Sequence, residues 1–282
     1  MKNPAGLAYS KETGVDMYGA FTTMLVTGRE NRYEDEFHQA RKKGAEILAY
    51  LNPTDMPIRF TGSLDAGWYK SAKLWRYKDA NGAQRCSYYD PDMKQYCPII
   101  DLYPGSDTIL RFVDYIANLM IERRVDGVFL DCVGEHAWNK KFGWDSATST
   151  WNWPVWEQNL WIMGNIDIVQ RCRAAVDELN PGFIIMNNNS WGDGWARRGE
   201  EFVNGRCIEH HAPNAYQLKQ AQRPYGVPNK RRVLVLCKTQ TDADAWLATP
   251  DPSVTHICVD NGDYSKVGPL ACPPVNINPA PP

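Results

Sequence analysis

Two acids in this chain stand where an apolar run gives out. Asp131 closes the segment 125–131, V-D-G-V-F-L-D, and Glu209 closes Cys207-Ile208-Glu209. Carboxylates at the ends of nearby strands suit the cleavage of a glycosidic bond. One protonates the leaving oxygen while the other attacks the sugar or activates water. Glu209 is the candidate proton donor, because an apolar strand and tryptophan-bearing loops would desolvate it and raise its pKa. His210 and His211 follow at once. Adjacent strand residues point to opposite faces, which argues against a two-histidine metal site. No Cys or His group has zinc-ligand spacing, so no metal and no cofactor is expected.

Other polar residues sit at predicted strand ends and are candidates for holding a substrate. Tyr50 ends one run, Asp101 another and Asp260 the last. Asn187-Asn188-Asn189-Ser190-Trp191 follows a fourth. There Asn187 could bind sugar hydroxyls and Trp191 could stack on a pyranose ring; turn chemistry is the competing reading, since Asn favours turns. Glu135 and Trp138 lie in the loop beyond Asp131, and His210 lies beside Glu209. The chain holds 11 Trp and 14 Tyr, and Trp138, Trp144, Trp151, Trp153 and Trp156 crowd one insertion. Such a cluster serves either as a small loop core or as a glycan groove.

The elements that must position these groups alternate. Short apolar runs rich in β-branched residues occur at 21–26, 45–51, 98–101, 125–131, 183–186, 202–208, 233–236 and 254–259. Between most of them lie helical patterns: 33–43 ended by Gly44, 108–123 capped by Ser106-Asp107, 156–179, 215–222 and 242–247. Alternating strands and helices imply parallel pairing, and about eight strands over this length predict an α/β fold closed as a (β/α)8 TIM barrel. An open doubly wound sheet is the alternative, though no glycine-rich dinucleotide fingerprint follows any strand. Two insertions, 53–96 and 132–156, would follow strands at their C-terminal ends, the functional face of such a barrel. Both should therefore share a rim with Asp131 as long, aromatic-rich βα loops. Asn81-Gly82 between aromatic runs predicts a hairpin inside the first. Cys86 and Cys97 flank one loop and could pair. Residues 1–272 read as a single barrel domain. The proline-rich tail 273–282 reads as an extended terminus or linker.

Composition narrows the partners. Lys and Arg number 31 against 33 Asp and Glu, which is no footprint for a nucleic-acid binder. No apolar run approaches the ~20 residues of a membrane span. Residues 1–10 lack the apolar core of a signal peptide, which suggests a cytoplasmic protein or one carried on a phage particle.

The segments Ile47-Leu48-Ala49-Tyr50-Leu51-Asn52-Pro53 and V-D-G-V-F-L-D, with Glu209 beyond them, resemble glycosidase-like barrel families near the endo-alpha-1,4-polygalactosaminidases, including the hypothetical glycosyl-hydrolase-like family fifteen. The resemblance spans roughly residues 21–260. It implies that Asp131, at the fourth strand, is the nucleophile or base and that Glu209, at the sixth, is the proton donor. The expectation is a glycoside hydrolase acting on a polysaccharide or cell-surface glycan. The alternative is a carbohydrate-binding or structural barrel without turnover, such as a receptor-recognition module assembled into a virus particle through its proline-rich tail.

Overall fold

The computed structural model describes residues 3–8, 24–27, 41–42, 44–54, 68, 78, 81–82, 86–90, 95–136, 144–145, 148, 150–188, 191–223, 226 and 231–259. A curled parallel sheet organises a mixed α/β fold. Six of its strands are β3 (Glu46–Leu51), β6 (Gly127–Leu130), β9 (Ile184–Asn187), β10 (Gly205–Glu209), β11 (Arg232–Cys237) and β12 (His256–Val259). Two N-terminal strands, β1 (Asn3–Ala8) and β2 (Met24–Thr27), pair in parallel with each other, with β12 and with β3. The hydrogen-bonded order is β1-β12-β11-β10-β9-β6-β3-β2.

Two apolar layers follow from the two-residue period of a strand. One set of side chains fills the space inside the curl: Met24, Val26, Leu48, Tyr50, Phe129, Ile184, Met186, Cys207, Leu234, Leu236 and Cys258. The alternate set, including Ile47, Val128, Ile185, Ile208, Val235 and Ile257, meets the helices outside. Glycine is needed where strands crowd: a Cβ on Gly205 would lie 1.5 Å from the carbonyl oxygen of Arg232.

The described helices match the sequence pattern closely, while the helix expected at 33–43 lies largely outside the described residues. In α1 (Asp107–Arg123), Ser106 caps the N-terminus by accepting from the Ile109 amide, and Ile109, Phe112, Ile116, Leu119 and Met120 are buried. The others are α2 (Val155–Leu179), α3 (Ala215–Gln222) and α4 (Gln240–Ala248). Asn214 and Thr239 cap α3 and α4 with their side chains. A 3-10 segment, Gly194–Phe202, precedes β10. None of the described helices is long and apolar enough to cross a membrane.

Two expectations need correction. The run 98–101 is no strand of the sheet. β5 (Gln95–Pro98) pairs antiparallel with β4 (Cys86–Asp90), and Ile99 and Ile100 are buried outside the curl. Their apolar character reflects packing against the loop core. The strand series begins instead at β1, whose sequence N-P-A-G-L-A carries no β-branched residue. The runs flanking the hairpin expected at Asn81-Gly82 lie largely outside the described residues, though Gly82 does take the left-handed conformation of a turn. Cys86 forms no disulfide with Cys97. The proline-rich tail lies outside the described residues.

Candidate active site

The inward register of the sheet carries the site. Tyr50 lies near the end of β3, and Glu209 ends β10. Two steps beyond Phe129 comes Asp131; two beyond Met186 comes Asn188. In the strand order, β9 separates β6 from β10, so Asn188 stands between the two acids. Its backbone amide is fixed to the end of β6 by donating to the Leu130 carbonyl at 2.9 Å.

Asn188 Nδ2 donates to Asp131 Oδ1 at 2.9 Å and to Glu209 Oε2 at 2.8 Å. Laid end to end, bonds of 2.9 and 2.8 Å put these two oxygens no more than ~5.7 Å apart. Asp131 Oδ1 also accepts from the Cys132 amide at 2.9 Å, and Oδ2 accepts from the Tyr50 hydroxyl. Burial pushes the Asp131 carboxyl above the ordinary carboxylate range, and the negative charge of Glu209 adds to the shift. The donors from Tyr50, Asn188 and Cys132 oppose it. His210 Nδ1 lies 3.8 Å from Glu209 Oε1.

Backbone strain marks the same two places. Cys132 and His210, each directly after an acid, have φ of 58° and 57°. That left-handed region is costly for residues with a Cβ and concentrates at functional sites.

The remaining expected residues fall into different surroundings. Glu135 presses its carboxylate on Gly192, where a Cβ would come within 1.3 Å of Oε2. Its pKa is pushed up to about 6 by burial and by Asp193, against the pull of Arg223. Arg223 is buried and grips this loop, donating to Gly192 O, Glu200 Oε1 and Asp193 Oδ1. Asn187 acts as a brace for the neighbouring loop. Its buried side chain donates to the Val133 carbonyl at 3.1 Å, because its register faces away from the inside of the curl. Asn188 is the amide that reaches the acids. Trp191 is 1 % exposed, its ring against Gly199, and so offers no face to a sugar. Asp101 accepts from the Tyr103 amide and shapes the turn before α1, not a strand end. Trp138 and Asp260 lie outside the described residues.

Much of the tryptophan cluster is a loop core. β7 (Trp144–Asp145) and β8 (Thr150–Trp151) form a short hairpin after β6. Trp151, Trp153 and Trp161 pack ring on ring at centroid distances of 5.9 and 5.6 Å, and His136 lies 5.7 Å from Trp151. Burial lowers the His136 pKa to about 4. Trp156 and Trp195 are about half exposed. Among the described residues no three His, Cys, Asp or Glu side chains gather as a metal would require.

No family model matches the chain, and no curated protein matches it by sequence. Solved structures do. The glycoside hydrolase domain of PelA from Pseudomonas aeruginosa matches at 11 % identity and TM-score 0.55, over 91 % of this chain and 94 % of that one. Ega3 of Aspergillus fumigatus, in complex with galactosamine, matches at 12 % identity and TM-score 0.52, over 92 % and 90 %. Alpha-L-fucosidase isoenzyme 2 of Paenibacillus thiaminolyticus matches at 12 % identity and TM-score 0.55, over 84 % of this chain and 40 % of that one. At these identities the likeness is one of fold alone: a mixed α/β structure built on a curled parallel sheet.

Proposed function

We propose that the chain is a (β/α)8 glycoside hydrolase acting on a polysaccharide or cell-surface glycan, with Asp131 as nucleophile and Glu209 as acid and base. One observation carries this reading: both acids, at the ends of β6 and β10, accept from the single amide of Asn188. The resulting spacing suits a retaining mechanism, whose carboxyl groups stand about 5–5.5 Å apart, better than an inverting one at roughly 6.5–9.5 Å.

In the first step Glu209 gives its proton to the leaving glycosidic oxygen while an oxygen of Asp131 bonds to the anomeric carbon. In the second, Glu209 takes a proton from water, whose oxygen displaces Asp131. Repulsion between the two carboxylates favours the state in which they hold one proton between them. The three donors on Asp131 favour its charged form, the form that attacks the anomeric carbon.

The test is a glycan array followed by a reducing-sugar assay on the hits. Wild type should release reducing ends. Asp131→Asn and Glu209→Gln, which keep shape, should each lower turnover by about 10³-fold or more while leaving affinity for the glycan largely intact. NMR of the first-formed product should show retained anomeric configuration. Binding without turnover by wild type would instead favour a carbohydrate-binding module, and full activity in either variant would remove that acid from the mechanism.

A further inference from the structure

Asn188 does more than lie between two acids. An amide has one donor end and one acceptor end. Turned over, it would set Oδ1 against two carboxylate oxygens, so the pair of acids fixes its orientation. Both N–H bonds of Nδ2 are then engaged, one on each carboxylate. An oxygen that accepts such a bond cannot also hold a proton along the same line. Asp131 Oδ1 and Glu209 Oε2 are therefore the acceptor oxygens of the pair. Asp131 Oδ1 carries a second donor from the Cys132 amide, whereas Oδ2 has the Tyr50 hydroxyl. Glu209 Oε1 is turned toward His210. On the far side of the amide, Asn188 Oδ1 is buried and has no hydrogen-bond partner among the described residues.

We infer that Asn188 is the positioning residue that divides the work of the two acids: it leaves Glu209 Oε1 as the oxygen that carries the catalytic proton and Asp131 Oδ2 as the attacking oxygen. The inference rests on the proposed hydrolysis for its chemistry, but the amide's grip on both acids stands without it. Among the described residues, the titratable groups facing this network are Tyr50 from β3, Asp131 and Cys132 after β6, Glu209 at the end of β10 and His210 just beyond it. His211 and Lys238 lie beyond them at the ends of β10 and β11.

Asn188→Ala removes a donor that favours the charged form of both acids. Both limbs of the pH–rate profile should therefore move to higher pH, and turnover should fall roughly 10- to 100-fold. Asn188→Asp keeps the size but adds a third carboxylate. It should be nearly inactive at neutral pH and regain activity as the pH falls and a carboxyl can again donate a proton. A merely structural asparagine would change the yield of folded protein and leave the pH limbs of that protein where they are. A wild-type profile in Asn188→Asp, or in folded Asn188→Ala, would overturn the inference.

A second measurement separates this from failure of the proposed function. In protein carrying 13C-labelled aspartate carboxyls, the Asp131 titration is followed by NMR in wild type and in Asn188→Asp at pH values where the new carboxylate is charged. It should move to higher pH in the variant whether or not any glycan is cleaved. An unmoved midpoint would sink the role of Asn188 even if Asp131 and Glu209 prove catalytic. A moved midpoint in a protein without turnover would keep the positioning and sink the hydrolysis.

Discussion

The two ends of one sheet treat charge in opposite ways. At the N-terminal end, Arg232 of β11 grips Glu46 of β3 with two bonds of 2.7 and 2.6 Å, across the inside of the curl between strands four places apart. His256 lies beside that pair, and burial with the nearby Arg232 lowers its pKa to about 4, so the cation is not duplicated. At the C-terminal end, two acids are brought together with no Arg or Lys among the partners that bond Asp131, and the residues after them are held in a strained conformation. Opposite charges paired at one end serve stability. Like charges held close at the other cost stability and shift a pKa, which is the usual signature of a working site.

The comparison breaks most visibly at Asp131. Its folded pKa is raised, so the folded chain binds its proton more tightly than the unfolded chain. Stability then falls as pH rises through the ordinary carboxylate value toward the raised one. Asp131→Asn should thus lose turnover by about 10³-fold or more while gaining stability on the order of 1 kcal/mol at pH 7. Urea unfolding beside the reducing-sugar assay reads both. Loss of stability together with activity would mean that the charge is part of the scaffold.

The other end should respond the opposite way. Arg232→Met strands Glu46 in a half-buried setting and should cost roughly 3 kcal/mol by urea unfolding. The pH–rate profile of the folded protein should be unchanged. Replacing Glu46 by Gln in the same chain should recover part of the loss, because the stranded charge is gone.

How much of this could be read beforehand follows the same period of two. From Phe129 the inward register steps to Asp131, and from Cys207 to Glu209; both acids were legible because strand and acid agree in phase. Applied to β9, the same step from Ile184 through Met186 reaches Asn188. A reading that takes the first amide after the strand lands on Asn187, which faces outward. The helices were legible from caps and apolar spacing, with α3 matching to the residue. β1 was not, since Pro, Ala and Gly hide a strand held by its neighbours. The run at 98–101 misled because buried isoleucines look alike in a strand and under a loop. Trp191 misled for a related reason: tryptophan both stacks on sugars and fills cores, and only the contact with Gly199 decides between them. Trp191→Ala should accordingly lower stability by about 3 kcal/mol while the glycan affinity of the folded protein stays within twofold.

The smallest effect tests whether the acid-rich rim carries this tension beyond the catalytic pair. Glu135 stands in the loop after β6 and is pushed up to about 6, mainly by burial and next by Asp193. Its ordinary value is 4.5, so the folded state again binds the proton more tightly than the unfolded chain. The stability cost begins as pH rises through 4.5 and is complete just above 6. Glu135 is partly open to solvent, and screening reduces the cost to under about 1 kcal/mol. Glu135→Gln removes the charge but not the contact with Gly192. The difference in unfolding free energy between variant and wild type should be near zero at pH 4, grow between 4.5 and 6, and stay level from 6.5 to 8, with the variant the more stable. Other acids titrate in the same window, but they do so in both proteins and cancel in the difference. A difference of opposite sign would mean that the attraction of Arg223 outweighs burial and the neighbouring Asp193. The loop after β6 would then be clamped by charge, as the N-terminal end of the sheet is.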